Sequence, residues 1–321
     1  MSNPPDDILE LHEVVTSLDL AQIFDDGLDI PRIDSNTSTP RTQHTSPDTA
    51  DTEPAKEAQI WAYLGVNGGA GVTSLAVQTT WQLAQNGMDV LLVDLDFERG
   101  DCAAYFDVPP GMSIAELNKT EGRMDADLAA SFIQTLSPST SLISGKPELG
   151  GNDLVSPTAL LALLDSVSSM FDIVILDVAP MWRSWTQAAI GAADKFALVT
   201  EARVPALHQT KKLYSDIMQA MDLANPPHVI LNKFERRSLR GGLSLADARN
   251  VLSNIPCEQI CVDEETLRIA INTGQPAGAL KPKSRYVKSV HAHVENWRPQ
   301  SGRRSSDNIS QPDRPERRAA R

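Results

Sequence analysis

The sequence predicts an α/β fold: a doubly wound, mostly parallel sheet with helices on both faces, of the P-loop type, between disordered N- and C-terminal tails. Three observations predict it. Short apolar runs recur along the chain and end in small or acidic residues: IWAYLG (60–65), DVLLVD (89–94), SLISG (141–145), DIVILD (172–177), KFALVT (195–200) and HVILN (228–232). Helical stretches stand between or after them, and apolar strands joined by helices make a parallel sheet covered on both faces. The first run passes into a glycine-rich turn, Val66 to Gly71, at the start of a helix.

The helices expected in chain order are 73–86, closing at Gly87, then 157–169, 185–192, 205–222, 244–253, 263–273 and 284–297. Three regions follow: an acidic N-terminal region over 1–57, a P-loop domain over 58–297, and an Arg-rich tail over 298–321. Residues 32–57 are rich in Ser, Thr, Pro and Asp with almost no large apolar residue, so they cannot offset their ordering entropy. The tail reads the same way. Within the N-terminal region, Ile8, Leu11, Val15, Leu18 and Ile23 fall near helical spacing, which predicts a short amphipathic acidic helix near 6–25. A detached helix of this kind docks into a partner's groove or rests on its own domain.

Composition narrows the function. Aromatics are 5 % of the 321 residues, so the core is aliphatic. The formal net charge is −13, and residues 1–57 carry −10 of it while residues 298–321 carry +4 through seven Arg against three acids. A chain this acidic is a poor general binder of DNA or anionic lipid, because phosphate binding needs a cationic surface. The N-terminus lacks a signal peptide's charged and apolar regions, and no run approaches the length of a membrane span. A soluble cytoplasmic protein is expected. Cys102, Cys257 and Cys261 are too few for a disulfide framework or a Cys-rich zinc site. His291 and His293 lie two apart on a helix and face different sides, which disfavours a metal pair.

The chemistry concentrates at strand ends. Asn67, Gly68, Gly69, Ala70, Gly71, Val72, Thr73 and Ser74 form a strand–turn–helix junction, whose backbone N–H groups and helix dipole suit a phosphate. Against the Walker pattern GxxxxGK[ST], Gly71 and Thr73 fit, Val66 replaces the first Gly and Val72 the Lys. Alone, the turn serves close packing equally well. The second strand ends in Asp94 and Asp96, the fourth in Asp177, and a later one in Asn232. Carboxylates at the C-terminal ends of parallel strands border the ligand crevice, where they hold magnesium directly or through water, or orient an attacking water. Asn232 is placed to read an adenine edge. Any one of these residues also serves as a cap or turn residue. Trp182 and Trp185 suit a dimer face or the core.

This order resembles the MinD/ParA class of deviant Walker ATPases, whose loop reads KGGxGK[ST] and which Asn67–Thr73 matches with both lysines replaced. Within that class the sequence is similar to Tad (Flp) pilus assembly proteins of the CpaE/TadZ type. The likeness is carried by Asp94–Asp101, Phe171–Asp177, Trp182–Thr186, Leu231–Arg237, Gly242–Ala248 and Ala270–Pro276, and it covers about 58–297. The resemblance implies ATP or ADP with Mg²⁺ bound by the 67–74 loop and Asn232. It implies a magnesium site of Thr73, Asp94, Asp96 and Asp177, with Asp96 orienting water if hydrolysis occurs. It also implies a homodimer at the cytoplasmic face of the inner membrane near a cell pole. Pilus-machine components and a polar landmark would be partners, with residues 6–25 as the docking element. DNA binding is not expected, and membrane association would be indirect.

In the class, the lysine matching Val72 contacts the β- and γ-phosphates and that matching Asn67 reaches the partner's nucleotide. Valine does neither, and Asn67 donates only a neutral hydrogen bond. Losing one charged hydrogen bond weakens phosphate binding by about 1.5–3 kcal/mol. Arg99 and Arg183 are the candidate replacement cations. The expectation is a nucleotide-binding scaffold with weak or no hydrolysis, or a vestigial site kept for folding. The alternative is an active MinD/ParA-type ATPase in division-site or plasmid positioning.

Overall fold

A computed structural model describes residues 57–235 and 242–298. The expected acidic helix at 6–25, the linker before residue 57 and the tail beyond residue 298 lie outside the described residues, as do Arg236 and Arg237.

The described strands are β1 (Gln59–Gly65), β2 (Val90–Leu95), β3 (Gln134–Ser137), β4 (Thr140–Ser144), β5 (Ile173–Val178), β6 (Lys195–Glu201), β7 (His228–Phe234) and β8 (Cys257–Cys261). They form one sheet in the order β3-β4-β2-β5-β1-β6-β7-β8. Every pairing is parallel except β3 with β4. All residues of β2 and β5 are buried, as expected of strands covered on both faces. The chain leaves β1 for β2 on one side of the sheet and later places β5 between them. A crevice therefore opens at the C-terminal ends of β1, β2 and β5.

Alternate residues of β1 feed two cores. Ile60, Ala62 and Leu64 pack with α4 (Pro157–Ser168) and α5 (Ser184–Gly191), while Trp61 and Tyr63 pack with α1 (Val72–Gln85) and α10 (Arg285–Trp297). The helix α6 (Val204–Ala220) covers the first face, and α7 (Leu245–Val251) extends that cover over Val229 and Leu231 of β7. On the second face α8 (Glu264–Asn272) and α9 (Ala277–Leu280) complete the layer. The helices α2 (Ile114–Lys119) and α3 (Ala126–Ser131) are short connectors between β2 and β3.

Local chemistry explains the helix boundaries. Ser113, Asp125, Ser156, Ser244, Asp263 and Ser284 each accept a hydrogen bond from the first turn of the helix they precede. In α10 the buried residues Tyr286, Val287, Val290, His293, Val294 and Trp297 recur at three- and four-residue spacing. Its end is fastened to the middle of β1 and to the first residues of β6 and β7. The Trp297 ring stacks on Tyr63 at 5.6 Å and meets Trp61 edge-on at 5.4 Å and His228 at 5.1 Å. The Lys195 ammonium donates to the Trp297 carbonyl. One turn earlier, His293 is hydrogen-bonded through Nε2 to the Tyr63 hydroxyl at 2.7 Å and through Nδ1 to Glu258 at 2.6 Å. His291, two positions away, is exposed, so the two histidines do face different sides.

Candidate functional site

The turn after β1 is shaped by two left-handed glycines, Gly69 at φ 77° and Gly71 at φ 84°. Gly71 is the N-cap of α1 and supplies no side chain, so the first N–H groups of that helix have no capping partner. A Cβ on Gly71 would lie 2.7 Å from Asn232 Nδ2, so this position needs glycine for space as well as for φ. The turn, with Thr73, Ser74, Asp96, Asp101 and Asp177, lines a cavity of about 400 Å³ at the C-terminal end of the sheet.

The acids divide the work unequally. Asp94 accepts the N–H of Asp96 on Oδ1 and the N–H of Cys102 on Oδ2, both at 3.0 Å, and is buried. It does not line the cavity. Both oxygens are committed to folding the 96–102 loop over the end of β2. Asp94, expected as a magnesium ligand, is the post on which the loop hangs, and its carboxylate lies within 4.8 Å of Cys102 Sγ and an Asp177 oxygen. Gly100 permits this wrapping, because a Cβ there would lie 2.6 Å from Asp94 Oδ2.

Asp96 does line the cavity. Its Oδ1 accepts from the N–H groups of Glu98 and Arg99 and from Asn152 Nδ2, at 3.0–3.1 Å. Asp177 lies across the floor. Burial raises the pKa of Asp94 to about 8, with the neighbouring Asp177 charge adding to it. Burial likewise raises Asp177 to about 6, opposed by hydrogen bonds from Thr73 and Cys102. The Cys102 thiol donates to Asp177 Oδ2 at 3.3 Å, and its own ionisation is pushed up by burial and by both carboxylates.

The donor set of Thr73, Asp96 and Asp177 is hard oxygen, which suits Mg²⁺. A buried carboxylate held above its ordinary pKa is the group a divalent cation relieves. The cavity and the donors therefore fit a magnesium nucleotide. Bound magnesium would neutralise phosphate charge at Thr73, Asp96 and Asp177.

The two lysine positions of the loop behave differently. Val72 is buried among the residues packed on α1. Asn67 folds back on its own turn, Nδ2 reaching Gly68 O at 3.4 Å. Ser74 shares a 2.7 Å hydrogen bond with Tyr105, which also lines the cavity. Asn232 Nδ2 donates to Ala70 O at 2.8 Å and to Gly71 O at 3.2 Å, so its amide braces the turn. Of the proposed replacement cations, Arg99 lines the cavity, whereas Arg183 is paired with Asp153 at 2.6 Å and does not.

Three participants escaped the sequence reading. Cys102 was set aside with the other thiols. Asn152 is buried, accepts the N–H of Phe97 and donates to Asp96, and its carbonyl takes the Trp185 indole N–H at 2.7 Å. Trp185 is accordingly core. Lys233 lines the cavity next to Gly69.

The model of the AAA domain family matches residues 58–227. The chain belongs to that family. The chain is 22 % identical over 224 residues to the septum site-determining protein MinD of Thermotoga maritima, covering 69 % of this chain and 81 % of MinD. Its fold is that of the MinD/ParA P-loop class. A ParA family ATPase from Chlorobium tepidum TLS superposes with a TM-score of 0.67 at 20 % identity, covering 75 % of this chain and 99 % of the other. MinD from Pyrococcus horikoshii OT3, solved with Mg-ADP, superposes at 0.61 and 20 % identity, covering 74 % and 95 %.

Proposed function

We propose that this AAA domain is a MinD/ParA-like nucleotide-binding scaffold that binds Mg-ATP or Mg-ADP weakly, hydrolyses ATP slowly or not at all, and positions a Tad-type pilus assembly machine. One observation carries the biochemical half. The glycine cradle and the oxygen donors Thr73, Asp96 and Asp177 are assembled around one cavity, while Val72 packs inward where the phosphate lysine would stand. The cradle supplies backbone N–H groups and a helix N-terminus to phosphate. Chemistry suffers more than binding, since phosphoryl transfer depends on positioned cations.

The cellular half rests on the sequence likeness to CpaE/TadZ-type proteins over about 58–297 and on the lysine-free loop. On this reading the protein is a homodimer at the cytoplasmic face of the inner membrane near a pole, and residues 6–25 engage the machine or its polar landmark. No helix among the described residues is long and apolar enough to cross a membrane, so the attachment proposed is through a partner.

Calorimetric titration with ATP and ADP, with and without Mg²⁺, tests the first half, with light scattering on the same samples. Magnesium-dependent saturation in the micromolar to millimolar range is expected. Absence of binding at millimolar ATP would mean a vestigial site. Deleting residues 1–30 tests the second half: loss of focal localisation is expected, and unchanged foci would refute the docking role.

A further inference from the structure

The lysine missing from the helix start has a counterpart at the end of β7. Lys233 lies in the left-handed region at φ 52°, a conformation an unbranched non-glycine residue adopts at a cost. The pairing of β7 with β8 shifts register between Leu231 and Phe234, at this residue. In a regular strand successive side chains point to opposite faces. Here the break sends two neighbours to the same place. Asn232 reaches the carbonyls of Ala70 and Gly71, and Lys233 Nζ reaches the carbonyl of Gly69 at 2.5 Å.

A second contact fixes the ammonium. Glu201, mostly buried at the end of β6, pairs with Lys233 through Oε1 and with Arg203 through Oε2, each at 3.0 Å. An ammonium has three donors, and these two contacts use two. The Lys233 side chain remains 41 % exposed and lines the phosphate cavity. Arg203 does not line it, Arg183 is held by Asp153, and Arg99 is the other basic residue on the wall.

We infer that Lys233 is the phosphate-charge partner of this site, supplying from β7 the cation that Val72 cannot supply from the loop. The polyphosphate of a nucleotide seated on Gly68–Gly71 takes the remaining donor, and Glu201 holds the side chain beside the turn beforehand. This rests on the nucleotide-binding reading above and adds to it a residue the loop motif does not contain.

The full chain, wild type and Lys233→Met, is titrated with Mg-ATP, inorganic tripolyphosphate and adenosine. The expected result is a loss of about tenfold or more for Mg-ATP and tripolyphosphate with adenosine affinity unchanged, and recovery in Lys233→Arg. Equal loss for adenosine would mean that Lys233 only braces the turn, and unchanged tripolyphosphate affinity would overturn the inference outright. Glu201→Gln keeps an amide oxygen that can hold the lysine in place and removes only the carboxylate charge that competes for it, so it provides a test independent of whether Lys233→Met folds. Tighter tripolyphosphate binding is expected there, and weaker binding counts against the inference. If wild-type protein binds neither nucleotide nor tripolyphosphate, the nucleotide-binding reading itself fails. If wild type binds and the variants bind alike, that reading stands and only the role of Lys233 falls.

Discussion

Asn152 Nδ2 donates to Asp96 Oδ1 at 3.1 Å, joining the loop after β4 to the acid at the mouth of the cavity. The same amide accepts the N–H of Phe97 at 3.0 Å, and the residue is fully buried. Asn152 thus holds both the carboxylate and the backbone beside it. Asn152→Ala strands a buried N–H and frees Asp96, so a stability loss of about 1–3 kcal/mol is expected together with weaker Mg²⁺ dependence of nucleotide binding. Chemical denaturation and magnesium titration of the variant read the two effects separately. Full stability with unchanged magnesium response would show that the bridge has no such role.

The buried acids predict a pH dependence. Asp94 is raised to about 8 and Asp177 to about 6, both by burial first. A carboxyl whose pKa is higher folded than unfolded favours folding below its unfolded value and loses that contribution as pH rises through the folded one. Stability should therefore decline from about pH 4 towards 8 on account of this pair. Magnesium at Asp177 offsets the charge there, so the stabilisation by added Mg²⁺ should grow between pH 5.5 and 8. Urea unfolding at several pH values, with and without the metal, measures it; a magnesium effect that shrinks with pH would contradict the assignment.

Restoring the loop lysine has opposed consequences. Val72 is buried but also lines the cavity, so a lysine there can turn its ammonium into the site. Val72→Lys should lower stability by about 1–3 kcal/mol through lost apolar packing. It should also tighten Mg-ATP by about tenfold or more, the worth of one charged hydrogen bond. Calorimetry alongside thermal melting distinguishes the outcomes, and unchanged affinity would mean that the loop's shape, rather than its charge, limits binding.

Thiol reactivity should be graded. Cys102 is buried and its ionisation is pushed up, whereas Cys257 and Cys261 are partly exposed. Ellman titration of native protein should leave Cys102 unreacted until denaturant is added, because the thiolate is the reacting species. Rapid modification of all three would place Cys102 outside the core.

Removing the ring at the end of α10 should cost heavily. Trp297→Ala removes the stack on Tyr63 and the edge contact with Trp61. A loss of about 3–5 kcal/mol is expected in urea unfolding.

Much of this architecture was legible beforehand because buried parallel strands are near-continuous apolar runs. Each of the six strands read from such a run lies within a residue or two of its expected bounds. The missed β3 is four residues long, half exposed and at the sheet edge, so it had no such run. The helices α2 and α3, six residues each, are too short for periodicity and are set by their caps. At the site, residue type identified the strand-end acids but not their tasks. Asp94 and Asp96 look alike in sequence and both take backbone donors of the loop, and only the path of the loop buries Asp94 and leaves Asp96 on the wall. Lys233 was hidden by the alternation rule itself, which places it opposite Asn232 until a left-handed residue breaks the pattern.

The anchoring of Trp297 against β1 and the starts of β6 and β7 also separates the two ends of the sheet. Residue 58 enters beside the same end of the sheet, its N–H bonded to Ser168 O at 2.8 Å. The phosphate cradle lies at the other end of β1, a strand of seven residues, or about 20 Å away. Ala58 and Trp297 therefore lie at the pole of the domain remote from the cradle. A ligand entering that mouth therefore meets the loops after β1, β2 and β5 and leaves the α10 anchor undisturbed.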